Sequence, residues 1–252
     1  MNRKDFLKKI CLTSALIPIG FESCTEKKKN DHESLLLLLA SGSDSSSTGQ
    51  ACTTTCAKSP EETVGPYPSN YQTLYNTYFR SDIREDRSGI PLTFNITLVN
   101  SNNNCTVVKD ANIYIWHCDR DGYYSQYSQP GYLGTKDYTA STFLRGIQTT
   151  DASGKVSFST IFPGWYTGRV CHIHARVYVS GNLVATTQFA FPDATNTTVN
   201  NFTGYSSHGQ NSITNTSDGI FSGSSTDLAK QLICISGNTS GYTGSVQLGI
   251  SV

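Results

Sequence analysis

Charged side chains are scarce in this sequence, 15% of 252 residues, and they cancel, with 19 Lys and Arg against 19 Asp and Glu. So sparse and balanced a charge excludes a strongly basic nucleic-acid binder and an acidic disordered chain. No apolar run reaches the roughly 18 residues that a membrane-spanning helix needs. No stretch carries the sustained 3.6-residue apolar period of a long amphipathic helix. A Cys-x-x-Cys pair occurs nowhere, which speaks against a zinc site built on cysteine. Methionine occurs once, tryptophan twice and histidine five times, whereas there are 14 Tyr and 21 Gly. The length suffices for one large domain with a real core, or two small ones.

The zero net charge conceals a gradient. Residues 1–30 hold seven basic and three acidic side chains, residues 31–60 one and three, and residues 61–252 eleven and thirteen. Arg3, Lys4, Lys8 and Lys9 precede a mainly apolar stretch at 10–21, the layout of an export signal. Arg3-Lys4-Asp5-Phe6-Leu7-Lys8 resembles a twin-arginine motif with Lys for the second Arg. Phe21-Glu22-Ser23-Cys24 resembles a bacterial lipoprotein cleavage site, although Glu22 departs from it; the other reading is an ordinary cleaved signal with an incidental cysteine. Residues 1–24 are therefore read as an export signal. A lipid on Cys24 would be the only link to a membrane, so the expected location is periplasmic or at a bacterial cell surface. Residues 25–60, with their Ser/Thr/Gly run, read as a flexible polar tether.

From residue 61 the texture is β. Leu92, Phe94, Ile96 and Leu98 alternate strictly with polar residues, placing four apolar side chains on one face. Further strands are expected at 111–118, 155–162, 172–179, 184–191 and 245–252, with Asp151-Ala152-Ser153-Gly154 as a hairpin turn. The expected fold is all-β, a single antiparallel β-sandwich of the immunoglobulin or prealbumin kind. Apart from Cys11 and Cys24, the cysteines are Cys52, Cys56, Cys105, Cys118, Cys171 and Cys234; six allow fifteen pairings, of which Cys52 with Cys56 is the local one.

Two of the five histidines form His172-Ile173-His174. On a strand both imidazoles project from one face, and Ile173, Ala175, Val177 and Val179 from the other. Such a pair commonly binds metal; two solvated histidines are the plainer alternative. Its neighbours favour chemistry. Phe162-Pro163-Gly164-Trp165-Tyr166-Thr167-Gly168-Arg169 leads directly into it, and Ile115-Trp116-His117-Cys118-Asp119-Arg120-Asp121-Gly122-Tyr123-Tyr124-Ser125 is a strand ending in a tyrosine-bearing turn.

These segments resemble the intradiol ring-cleavage dioxygenases, non-haem iron(III) enzymes that open catechols between the two hydroxyls. The resemblance runs from about residue 61 to 252. It includes, in order, Glu62-Thr63-Val64-Gly65-Pro66-Tyr67, Arg80-Ser81-Asp82-Ile83-Arg84, Phe143-Leu144-Arg145-Gly146, Thr150-Asp151-Ala152-Ser153-Gly154 and Thr186-Thr187-Gln188. It implies one Fe(III) per chain, held by Tyr124, Tyr166, His172 and His174, with long loops around the site. Phenolate is a hard anionic donor suited to iron(III), and imidazole completes a mixed N/O set. A small aromatic diol and O2 are the implied partners, and a muconate-type diacid the product.

The resemblance further implies that Tyr166 yields its place to the substrate while Tyr124 and His172 stay. Arg169 would stabilise charge developing on the ring, and Gln188 would position ring and oxygen. Gly65, Pro66, Tyr67 and Trp165 are the implied pocket walls. Tyr123, one residue from the match, is expected to pack beside the site. His117 is read as structural, His32 falls in the tether, and His208 reads as a loop residue that could approach the substrate, with surface placement the plainer reading. Only five residues separate Tyr166 from His172, and no room exists for a helical N-terminal domain; both features resemble a shorter, exported branch. The alternative function is a catalytically silent β-sandwich that binds an aromatic or carbohydrate ligand.

Overall fold

The structure, a computed structural model, describes residues 56–252. The expected export signal, Cys24, His32 and most of the tether lie outside the described residues. In chain order the elements are α1 (Tyr71–Tyr78), β1 (Pro91–Asn100), β2 (Thr106–Val107), β3 (Asn112–Trp116), β4 (Ser128–Gln129) and β5 (Lys136–Asp137). There follow β6 (Arg145–Thr149), β7 (Lys155–Ile161), β8 (His172–Val179) and β9 (Asn182–Ala190). After α2 (Asp193–Asn200) and α3 (Ser225–Gln231), β10 (Cys234–Asn238) and β11 (Gly241–Ile250) close the chain. The protein is thus mostly β with few, short helices. No helix among the described residues is long and apolar enough to cross a membrane.

The alternating run in β1 does what its pattern requires: Leu92, Phe94, Ile96 and Leu98 are buried. They meet Ile113 and Ile115 of β3, Ile173, Ala175 and Val177 of β8, and Phe189 of β9 in one apolar cluster. Those strands belong to two sheets. One has the order β10-β11-β1-β2, with β7 also paired to β1; the other is β6-β3-β8-β9. A third, of two strands, pairs β4 with β5.

Two expectations need correction. The pairing is not purely antiparallel: β1 and β11 run parallel, with Leu92 opposite Tyr242 and Asn100 opposite Ile250. The final strand enters between β10 and β1 only after a long excursion, as a parallel neighbour must. Alternation dictates which face a residue takes, and it is silent on the direction of the neighbouring strand. Nor is the Asp151 turn a hairpin. It joins β6, paired with β3, to β7, paired with β1, so it carries the chain from one sheet to the other. Its geometry is nevertheless an Asx turn: Ser153 and Lys155 N–H donate to Asp151 Oδ1, and Gly154 takes φ +70°.

Residues 56–60, assigned to the tether by composition, are fastened to the fold. Ser59 N–H donates to the Gly249 carbonyl, and Gly249 N–H to Ser59 Oγ. Cys56 pairs with Cys105 in a disulfide, so the local Cys52–Cys56 pairing does not form. Cys234 is also disulfide-bonded, whereas Cys118 and Cys171 are free and buried.

β8 positions everything that follows. It is buried on both faces: Ile173, Ala175 and Val177 enter the apolar core, and His172 and His174 face the other way. On that second face an aromatic cluster gathers Tyr178 of β8, Tyr114 and Trp116 of β3, Tyr78 and Tyr124, with Tyr67, Tyr127 and Tyr166 packed against it.

Candidate active site

The His-x-His pair is not solvated; His172 is 1% exposed and His174 0%. Register sets their neighbours. His174 lies opposite Trp116 on β3 and opposite Gln188 on β9. Trp116 stacks on the His174 ring, centroids 4.7 Å apart and 6° from parallel. On the other strand-side approach, Gly65 presses its backbone against the same ring, so that a Cβ there would stand 2.7 Å from Cε1.

The two imidazoles point at each other, Nε2 to Nε2 at 3.0 Å. His172 Nδ1 donates to the Val170 carbonyl at 2.6 Å, which directs the Nε2 lone pair into the site. His174 Nδ1 has no hydrogen-bond partner. Burial holds His172 down to about 3 and His174 well below its ordinary value, so both rings are neutral donors.

Two phenols converge on the same place. Tyr124 Oη lies 3.5 Å from His172 Nε2. The Tyr166 ring is 5.8 Å from that of Tyr124 and 5.6 Å from that of His172. Burial pushes the Tyr124 phenol well above its ordinary value and Tyr166 up to about 12. Neither ionises without a cation to replace its proton, and a bound cation would reverse that balance.

Of the two adjacent tyrosines, Tyr124 turns to the imidazoles. Tyr123 donates its hydroxyl to the Gly134 carbonyl and accepts from Leu133 N–H, fixing a neighbouring loop. Asp119 Oδ1 holds the turn that separates them from β3, accepting from Asp121 and Tyr123 N–H. Burial raises its carboxyl from 3.8 to about 6. A raised folded value means that the protonated form is favoured in the native state. Its stabilisation is fully present below the unfolded value near 3.8 and is lost as pH rises through about 6. Asp119→Asn keeps the Oδ1 acceptor and removes that titration. Its stability relative to wild type is expected to be greatest at neutral pH and to fall by up to about 3 kcal/mol toward pH ~4. Urea unfolding at both pH values measures this, and a difference that does not change with pH would refute it.

Arg169 and Gln188, read together from the sequence, do meet: Arg169 Nη2 donates to Gln188 Oε1 at 2.7 Å. Gln188 Nε2 donates in turn to the Thr63 carbonyl, tying the 61–65 segment to β9. The Arg169 charge beside the Tyr166 phenol opposes the upward push of burial. Among the implied pocket walls, Tyr67 stacks on Tyr124 at 4.6 Å. Pro66 is exposed, and Trp165 stacks on His208 at 3.8 Å. His208 is itself half-buried, its ring stacked on Tyr132 as well as on Trp165. His117 is structural as expected, its ring held by the Cys118 carbonyl and the Thr160 hydroxyl.

Sequence reasoning gave no role to Arg145 or Asp218. Arg145 is fully buried, and it donates to Ser125 Oγ, the Ser125 and Tyr67 carbonyls and Tyr114 Oη. It thereby clamps the strand-end turn that bears Tyr124 to the segment that bears Tyr67. The Phe-Leu-Arg-Gly motif was visible in the sequence; what its Arg would hold was not. Asp218 pairs with Arg169, Oδ2 to Nε at 2.8 Å.

The four-residue gathering fits a metal ion. Two lone-pair nitrogens facing each other satisfy one another only if one carries the proton, whereas one cation satisfies both. Donors at right angles on a cation with bonds of about 2.1 Å stand about 3 Å apart, the separation of the two Nε2 atoms. Among the described residues no group of three or more His, Cys, Asp or Glu side chains could hold a metal. The phenols of Tyr124 and Tyr166 are the other donor groups gathered at this point.

Comparison with known proteins decides the family. An intradiol ring-cleavage dioxygenase from Tetranychus urticae is 33% identical, matches 78% of this chain and 95% of its own, and superposes with a TM-score of 0.68. The chain belongs to the intradiol ring-cleavage dioxygenase family. The dioxygenase domain of a dioxygenase–carbohydrate-binding protein fusion from Streptomyces sp. SirexAA-E is 25% identical over 78% of this chain and 99% of that one, TM-score 0.55. A chlorocatechol 1,2-dioxygenase from Pseudomonas putida, 19% identical over 76% of this chain and 72% of its own, shares the fold at a TM-score of 0.51. No family profile and no curated protein matches the sequence. Within this dioxygenase family, the present chain gathers two buried His, one buried Tyr and one half-buried Tyr beside an Arg–Gln pair.

Proposed function

We propose that the protein is an iron(III)-dependent dioxygenase that opens catechol-type rings between the two hydroxyls with O2, giving muconate-type diacids. The observation that carries the reading is the convergence of Tyr124, Tyr166, His172 and His174 on one buried point, with Arg169 and Gln188 alongside. These four side chains would hold the ion. Bound there, iron(III) supplies Lewis acidity and draws electron density from the diol, activating the ring toward oxygen.

The chain's own groups do the rest. Tyr67, lying against Tyr124, forms an aromatic wall for a flat ring. Tyr166 is the half-buried member of the donor set and the positive charge of Arg169 favours its phenolate, so its Oη is the natural acceptor for a proton from the incoming diol. The Arg169 guanidinium, fixed by Gln188, sits where negative charge would develop on the ring. The buried surroundings exclude competing water.

An exported location belongs to the same reading. The N-terminal basic and apolar pattern and the Cys56–Cys105 disulfide support it, since such bonds persist in oxidising compartments.

The test is oxygen uptake by the iron-loaded protein across simple catechols bearing hydrogen, carboxyl, hydroxyl or chloro substituents, with diacid product followed by absorbance. Stoichiometric uptake with at least one of them is expected. Tight catechol binding without oxygen uptake would instead identify a catalytically silent binder.

A further inference from the structure

Asp218 is the only charged side chain between Asp193 and Asp227, in a Ser-, Thr- and Asn-rich stretch that reads as a plain loop. The structure buries it completely. Oδ1 accepts from Ile220 N–H at 2.9 Å, which fixes the carboxylate to its own turn. Oδ2 accepts from Arg169 Nε at 2.8 Å and from Val170 N–H at 2.9 Å. From the same loop, Asn211 Nδ2 donates to the Arg169 carbonyl at 2.7 Å, and the Phe221 ring lies 5.7 Å from the guanidinium carbon. The loop therefore grips Arg169 by its side chain, its carbonyl and the next amide. The neighbouring Nη2 of the guanidinium is left to Gln188 Oε1.

From these contacts we infer that Asp218 is a positioning residue, holding Arg169 in the one orientation that meets Gln188 beside the reacting ring. The inference rests on the ring-cleavage reading of the site. An unrestrained arginine carries about 2 kcal/mol of rotamer freedom, and a donor aimed in advance loses none of it at the moment of reaction. Asp218 also supplies the counter-charge that lets Arg169 stay mostly buried; alone, a buried guanidinium would swing toward water. The residue touches neither substrate nor the reacting atoms, so it acts only through Arg169.

Asp218→Asn tests this directly. The carboxamide has the same shape, but its NH2 must face either the two donors from residues 169 and 170 or Ile220 N–H. With the iron-loaded protein and its best catechol, kcat is expected to fall about 10- to 100-fold with KM changed less than about threefold. The tyrosinate absorption band should be unchanged, since the donor set is not touched. In an Arg169→Ala background the same substitution should cost less than about twofold, because its only route of action is gone. A metal-free readout runs in parallel: the Arg169 Nε–H signal in 15N NMR should exchange slowly in wild type and lose that protection in D218N.

Wild-type kcat in D218N, an equal loss in the Arg169→Ala background, or retained Nε–H protection would each overturn the inference. If the wild-type protein consumes no oxygen with any catechol, the ring-cleavage reading fails, and the NMR measurement still decides the positioning. Should D218N not fold, Asn211→Ala removes a separate grip. It is expected to lower kcat severalfold with the same non-additivity, and additivity with Arg169→Ala would count against the inference.

Discussion

Replacing Tyr124 with phenylalanine is expected to lower turnover at least about 100-fold while leaving the metal-free protein as stable as wild type. The two halves of that expectation come from one feature. The ring of Tyr124 is fully buried and stacked on Tyr67, contacts that phenylalanine keeps. What disappears is Oη, which lies 3.5 Å from His172 Nε2. Burying a poorly partnered hydroxyl costs stability, so its removal is neutral or slightly favourable in the empty site. A structural tyrosine would behave in the opposite way. Unfolding curves of the metal-free variant, set beside kcat for the iron-loaded one, measure both halves. Turnover within a few-fold of wild type would remove Tyr124 from the donor set.

The second large effect is expected at Gly65. It takes φ +77°, a conformation that costs an L-residue about 1 kcal/mol. The greater cost is contact, because an added Cβ would stand 2.7 Å from His174 Cε1. The imidazole has no room to retreat: its face lies on Trp116, which is itself fully buried. The backbone of residue 65 cannot withdraw easily either, since Glu62 N–H bonds the Thr186 carbonyl and Gln188 holds the Thr63 carbonyl. Gly65→Ala should therefore push His174 off its line to His172. A displacement of about 1 Å in such a site costs on the order of 100-fold in rate. Iron affinity should fall about 10- to 100-fold, as it does when the support of a ligand is disturbed. Iron titration and steady-state kinetics check the two values. An alanine variant with wild-type affinity and kcat would show that His174 is not the constrained donor described above.

What could be read from the sequence was whatever depends on a local period or a short motif. Alternation placed Leu92, Phe94, Ile96 and Leu98 in the core, and the same rule put His172 and His174 on one face opposite Ile173. Motif matching brought Arg169 to Gln188, and it selected Tyr124 over Tyr123, although the two are adjacent and both buried. What escaped depends on contacts between distant segments. The parallel pairing of β1 with β11 joins strands separated by most of the described chain. Arg145 stood out only as part of the Phe143-Leu144-Arg145-Gly146 motif, yet its guanidinium spans from residue 67 to residue 125. Asp218 sits in a stretch of small polar residues, where nothing local says that an arginine 49 residues earlier will cover it. Buried ion pairs of this kind leave no periodic trace, because each partner is specified by the fold and not by its neighbours in sequence.

The central claim, that Tyr124, Tyr166, His172 and His174 together hold iron(III), is tested most directly by the visible spectrum of the purified protein during titration with iron(III). Phenolate bound to iron(III) gives an intense charge-transfer band. The account predicts a red to burgundy protein that saturates at one iron per chain and changes colour when a catechol is added. A protein that binds iron and stays colourless would contradict it.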